Sequence, residues 1–217
     1  MADATTESRP GGMSEQRRRR IRLEISREAA RLFWNQGVAA TSGEQIAEAV
    51  GLSVRTIWRH FRTKESCAEP IVTKGVEWFV EALRRWPPQL SLEEHFAEVR
   101  ATIRRTPEES ADDLAGVQLI ILAETEPAIR SAWLMACDQI ERELVAIIAS
   151  RLRRPLDDVE VRRHAAAATA AIRVLNEAFS PAVLAGDDLT EIPEPFEAMA
   201  RAVRVATSGV VGDPVEF

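Results

Sequence analysis

The stretch from Thr41 to Lys64, TSGEQIAEAVGLSVRTIWRHFRTK, constrains the chain most, because it reads as two short helices joined by a tight turn. Thr41 and Glu44 have the spacing of a capping box, so a helix should open near Ser42. Ile46, Ala47 and Val50 share one face of it. Gly51 then breaks the pattern, as a residue needing positive φ at a helix end would. Ser53 can cap the next helix, whose inner face carries Val54, Ile57 and Phe61. Small Ala47, turn Gly51 and apolar Ile57 have the spacing of a helix-turn-helix. The Ala lets two helices cross closely, the Gly makes the bend, and the Ile fills the angle. Arg55, Thr56, Trp58, Arg59 and His60 remain on the outside of the second helix. Hydrogen-bond donors, a cation and an aromatic ring suit a helix that lies in the major groove.

These residues, with AARLFWNQG before them and TKE after, resemble the DNA-binding domain of the tetracycline-repressor (TetR) family of bacterial regulators. The resemblance runs from Ile21 to Ser66. Trp58 departs from it, since Tyr or Phe is commoner there, but an indole N–H still donates to a phosphate. The resemblance implies a helical regulatory domain with a ligand cavity among its middle helices. It also implies a dimer formed through the last two long helices.

Charge is split along the chain. The net charge of −6 is unusual for a DNA-binding protein, but twelve basic and seven acidic residues lie at or before Lys64. The first 64 residues therefore carry about +5 and the rest about −11, a basic head on an acidic body. Ala, Leu, Arg and Glu dominate, there is no Tyr, and no alternating β-branched run occurs, so the fold reads as all-α with about nine helices. Cys67 and Cys137 fit neither a disulfide framework nor a metal spacing, as in a reducing cytoplasm. No stretch is long and apolar enough for a signal or a membrane span.

Residues 1–14 read as a disordered extension, with Met13 as a second candidate start. Residues 15–64 read as the helix-turn-helix domain, 65–208 as a helical effector-binding and dimerisation domain, and 209–217 as a frayed tail. The run Gln16–Arg22 is either a solvated helix start or an arm whose Arg17, Arg18, Arg19 and Arg20 grip phosphates or the minor groove. Helix 1 follows to about Gln36, ended by Gly37. Thr63 should cap a fourth helix running to Trp86, stopped by Pro87 and Pro88. Ser91 with Glu94, and Thr106 with Pro107 and Glu109, open the next two. A seventh runs from about Pro127 to Leu152. An Ala-rich eighth runs from Val159 to Leu184, with Pro181 as a kink or last turn. Gly186–Glu191 is a loop, and Pro193 opens a ninth helix with a stripe of Phe196, Met199, Ala200 and Val203.

No catalytic constellation, metal cluster or cofactor motif is visible. Asp112–Asp113 and Asp157–Asp158 read as solvated helix starts. For DNA, Arg55 and Thr56 should reach base edges, while Trp58, His60 and Lys64 hold phosphates. Thr41 and Ser42 offer the second helix's N-terminus to another. Arg59 has an alternative as an ion pair with Glu44 or Glu48, and Trp58 as core packing. The effector cavity should draw on Trp78, Phe79, Trp86, Phe96 and Trp133 as walls. Gln118, Cys137, Arg173 and Asn176 would be its polar lining. Each aromatic has an alternative as plain core, and Arg173 and Asn176 have one as dimer contacts. Nothing electropositive beside Cys137 in sequence marks it as a redox sensor.

The sequence thus points to a homodimeric, ligand-responsive regulator. It would bind an inverted-repeat operator in double-stranded DNA and dimerise through Ala165–Leu184 and Phe196–Val203. A small apolar or amphipathic effector would release it. The rival readings are a DNA-binding protein without effector and an all-α enzyme.

Overall fold

The computed structural model describes residues 14–185 and 195–215. Every regular element among them is helical: α1 Glu15–Gln36, α2 Gly43–Ala49, α3 Val54–His60, a 3-10 turn Glu65–Ala68, α4 Glu69–Arg84, α5 Leu92–Thr102, α6 Pro107–Leu122, α7 Pro127–Leu152, α8 Val159–Ala185 and α9 Pro195–Ala206. The all-α expectation is met.

The head folds as its punctuation dictates. Gly37 ends α1 at φ 86° and Gly51 turns the chain between α2 and α3 at φ 67°. Both angles are strained for a side chain bearing Cβ. Ser53 caps α3 by accepting the Thr56 amide. Ala47 and Ile57 are buried at the α2–α3 crossing beside Ile25, Phe33 and Ile46. One cap falls a residue later than the spacing predicts. Ser42 accepts the Gln45 amide, and the Gln45 side chain accepts the Ser42 amide in return. Thr41 is buried instead, its hydroxyl donating to the Gly37 carbonyl at 2.8 Å.

The Arg-rich run is helical, not an extended arm. Ser14 caps α1, so Arg17–Arg20 occupy its first turns, with Glu15 near Arg18 and Arg19 and Glu24 on Arg20. Arg has high helix propensity, and an acid at the N-terminus complements the helix dipole. The rest of the expected disordered extension, residues 1–13, lies outside the described residues. So do the loop expected at Gly186–Glu191 and the helix start expected at Pro193.

The body departs from expectation in three places. First, a 3-10 turn with Lys64 at its N-cap interrupts the expected continuous fourth helix, and Thr63, one residue before, exchanges bonds with Ser66 instead of capping that helix. Pro70 then sits in the first turn of α4. Second, the stripe of α9 faces its own core: Met199, Ala200 and Val203 are buried, and Phe196 packs on Phe96 and Trp78. Third, residues 209–215 are docked rather than frayed. The Leu92 amide bonds the Gly212 carbonyl, and the Val215 amide bonds the Pro88 carbonyl, each at 2.8 Å. Arg151 lies 3.4 Å over the Trp86 ring and donates to the carbonyls of Pro87 and Asp213. The capping boxes of α5 and α6 form as their spacing predicts. Asp158 opens α8 by accepting the amides of Glu160 and Val161.

α1 reaches beyond the head to pack on α4 and α6. α4 lies against α6 and α7, and α8 against α6, α7 and α9, leaving a space between them.

Candidate DNA-reading face and effector cavity

On α3, Arg55, Trp58 and Arg59 are exposed. Arg55 and Arg59 are four residues apart and so share a face. No ion pair joins Arg59 to Glu44 or Glu48 among the described residues. Trp58 is 42% exposed, which excludes plain core packing. Its ring presses on the start of α2: a Cβ added at Gly43 would lie 2.2 Å from ring atom Cζ2. The Thr56 hydroxyl hydrogen-bonds that of Ser53 at 2.9 Å.

The other predicted contacts sit deeper. The His60 ring is half-buried, and its Nε2 has no hydrogen-bond partner. Burial, then Arg59, Arg22 and Arg18, hold its pKa below the ordinary 6.5, which favours the neutral ring. Its carbonyl accepts from Arg22, whose guanidinium lies 4.3 Å over the Phe61 ring. Lys64 donates to the carbonyls of Val38 and Thr41, each at 2.7 Å, and to that of Ala39 at 3.3 Å. It therefore clamps the α1–α2 loop, and its three donors are already engaged. Thr41, being buried, presents no hydroxyl to DNA. Arg62, exposed just beyond α3, lies past the helical pattern and so carries no signal in the sequence.

The space between α4, α6, α7, α8 and α9 is a cavity of about 430 Å³. Trp78, Phe79, Trp133 and Asn176 stand in its wall. Five other expected residues do not. Trp86 is buried under Arg151, with its indole N–H on the Leu90 carbonyl. Phe96 lies behind the wall, 5.9 Å from the Phe79 ring. Gln118 faces an outer groove between α1 and α6. Cys137 is buried, which pushes its thiol up to about 12 despite Arg173 nearby. Arg173 pairs with Glu177 at 3.0 Å. Helical periodicity marks a buried face, but not which buried residues border a void.

The cavity wall also has a polar part that helical spacing does not announce: Arg105, Asp112 and Asp113. Arg105 pairs with Asp113 at 2.7 Å and lies 4.6 Å over the Trp78 ring. Burial raises the Asp113 carboxyl even so. Outside the wall, Glu177 accepts from Trp133 at 2.9 Å, and Arg130 and Arg173 hold that carboxylate. Asp112 is not a solvated helix start: its side chain is 4% exposed. Arg27 of α1 meets it with two bonds, at 2.7 and 2.8 Å, and Lys74 of α4 with another. Burial would raise this carboxyl, but the hydrogen bonds and charges of Arg27 and Lys74 outweigh it and hold the pKa below its ordinary value.

Comparison with known proteins agrees with this architecture. The family described as bacterial regulatory proteins, tetR family, matches residues 25–71. The HTH-type transcriptional regulator TcmR of Streptomyces glaucescens is 34% identical over 160 residues, covering 71% of each chain. Among solved structures, Salmonella enterica GusR aligns over 93% of this chain and 99% of its own, with TM-score 0.53 and 20% identity. The multidrug binding protein EbrR, complexed with imidazole, aligns over 89% and 96%, with TM-score 0.53 and 18% identity. These two likenesses are likenesses of fold. The helix-turn-helix geometry and the extent of identity to TcmR together establish that the chain belongs to the TetR family of bacterial regulatory proteins and is a DNA-binding transcriptional regulator.

Proposed function

We propose that the protein is a homodimeric repressor that a small apolar or amphipathic effector releases from an inverted-repeat operator. Residues 15–64 act as the reading head and 65–208 as the effector and dimerisation body, in the cytoplasm. The observation that carries the reading is the cavity of about 430 Å³, whose walls include α4 and α6, the helices on which α1 rests. Its volume and its aromatic lining with few polar groups suit a small organic molecule. The fold neighbour EbrR, complexed with imidazole, is consistent with this use of the fold.

The outer face of α3 and the start of α1 supply the remaining parts. Arg55 and Thr56 read base edges, an Arg forking onto guanine at about 1–3 kcal/mol of discrimination. Trp58, Arg59, Arg62 and the arginines at the start of α1 hold phosphates. The partner surface is the outer side of α8, where Ala166, Ala170, Val174 and Ala178 recur every fourth residue and are exposed. Val205 of α9, 75% exposed, extends it. Small residues let helices of two protomers approach closely. Two heads so joined reach half-sites about 34–36 Å apart, or a multiple of that. The effector acts through its different affinity for the two states. A difference of about 3 kcal/mol weakens operator binding more than a hundredfold.

Selection of bound duplexes from a random pool, with Arg55→Ala in parallel, tests this. The parent should enrich an inverted repeat, and Arg55→Ala should relax defined positions within it. Enrichment without symmetry, or none, would refute the dimeric reader. A fluorescence titration of the selected operator against a broad compound panel tests the effector. No change in operator affinity with any compound would leave a regulator that works by occupancy alone.

A further inference from the structure

The Asp112 carboxylate has two neighbourhoods at once. It lines the effector cavity, and it also lines the outer groove between α1 and α6. It is therefore the partition between the inside of the body and the underside of the head. Arg27 of α1 holds both of its oxygens, and Lys74 of α4 holds one of them. Glu108, one turn before Asp112 on α6, gives Arg27 a second carboxylate at 2.6 Å. Three helices, one of them the first helix of the head, thus meet at one cavity-wall carboxylate.

From this geometry we propose that Asp112 is the positioning residue through which cavity occupancy moves the head, with Arg27 as its receiver. This deepens the effector reading above and rests on it. A side-chain-sized body arriving in the cavity displaces Asp112 or recruits its carboxylate. A doubly hydrogen-bonded Arg–carboxylate pair fixes orientation as well as distance, so α1 follows. Lys74 transmits the same shift to α4. Coupling needs two arrangements that the occupant distinguishes: Asp112 held by Arg27 and Lys74 together, as in this structure, and Asp112 drawn toward the occupant.

The test puts the occupant into the chain itself. Gly116 lies one helical turn beyond Asp112 in the cavity wall, and an added Cβ there meets no atom within 4 Å. Gly116→Phe projects a ring toward the cavity, whereas Gly116→Ala changes helix propensity without filling it. Each is made in the parent and with Arg27→Met, which leaves Asp112 on Lys74. Arg27→Gln, which keeps donors but loses the charge, serves if Arg27→Met fails to fold. Hydrogen exchange along α1 is measured in the full chain, and affinity is measured for the selected operator. Gly116→Phe should alter exchange between Arg22 and Gln36 and weaken the operator about tenfold. Gly116→Ala should do neither, and both effects should collapse to within about twofold once Arg27 is replaced. An unchanged Gly116→Phe effect without Arg27, or an α1 that does not respond to Gly116→Phe at all, would overturn the proposal. If the pool yields no operator, the functional reading fails, while the exchange data still decide the coupling.

Discussion

His60 shows how a single side chain is tuned by the surface it helps build. Its ring is half-buried among Arg18, Arg22 and Arg59, so the folded protein resists charging it. His164, buried on α8, is depressed likewise, first by burial and then by Arg163. The unfolded chain takes up these protons near the ordinary 6.5, before the folded one does. Stability should therefore be full above that pH and decline as pH falls below it. Thermal melts between pH 7.5 and 5.5 should show a falling Tm, and His60→Gln should flatten the slope. A slope unchanged in His60→Gln would assign the effect elsewhere. The Gly43–Trp58 contact makes a second prediction. Gly43→Ala forces the ring aside, and since the ring is partly exposed it can swing, so the Tm should change little. Operator affinity should fall, and it should not fall further when Gly43→Ala is added to Trp58→Ala. Equal losses in both backgrounds would deny that Gly43 acts through the indole.

At the scale of the element, helix ends were the most legible feature. Ser53, Ser91 and Thr106 cap the helices that their spacing announces, because a cap is a contract among residues three apart. Ser42→Ala, which breaks the capping box of α2, should destabilise the chain by about 1 kcal/mol in urea unfolding. Thr41→Val, which keeps the volume and removes the bond to Gly37, separates the buried neighbour from the cap. A larger loss for Ser42→Ala in helix content would mark Ser42 as the residue that holds the helix start. Legibility ended where partners are distant in sequence. Asp112 and Asp113 look like any acidic pair in the second turn of a helix. Nothing near them tells that Arg27, 85 residues earlier, lies opposite Asp112. Likewise Trp86 and Trp133 obey the same helical period, yet only Trp133 borders the cavity. Lys64 has the look of a phosphate contact because its role as a loop clamp depends on carbonyls more than twenty residues away.

At the scale of the whole molecule, the two sides of α8 divide its labour. Ile172 and Asn176 face the cavity, while Ala166, Ala170, Val174 and Ala178 lie outward. Ala170→Glu places a charge in the middle of the outward stripe. Sedimentation should then report a monomer where the parent sediments as a dimer, and cooperative operator binding should vanish. A dimer that survives Ala170→Glu would place the interface on another surface. The ion cluster of Arg27, Lys74 and Asp112 has a consequence for recombination between relatives. Grafting a new head onto this body, with a crossover at Lys64, keeps Lys74 and Asp112 from one parent but takes the residue at position 27 from the other. Such a chimera would inherit a buried carboxylate without its chosen arginine, although each half is intact. Heads and bodies should therefore interchange best among parents that agree at these three positions, and a crossover design should carry position 27 with the body.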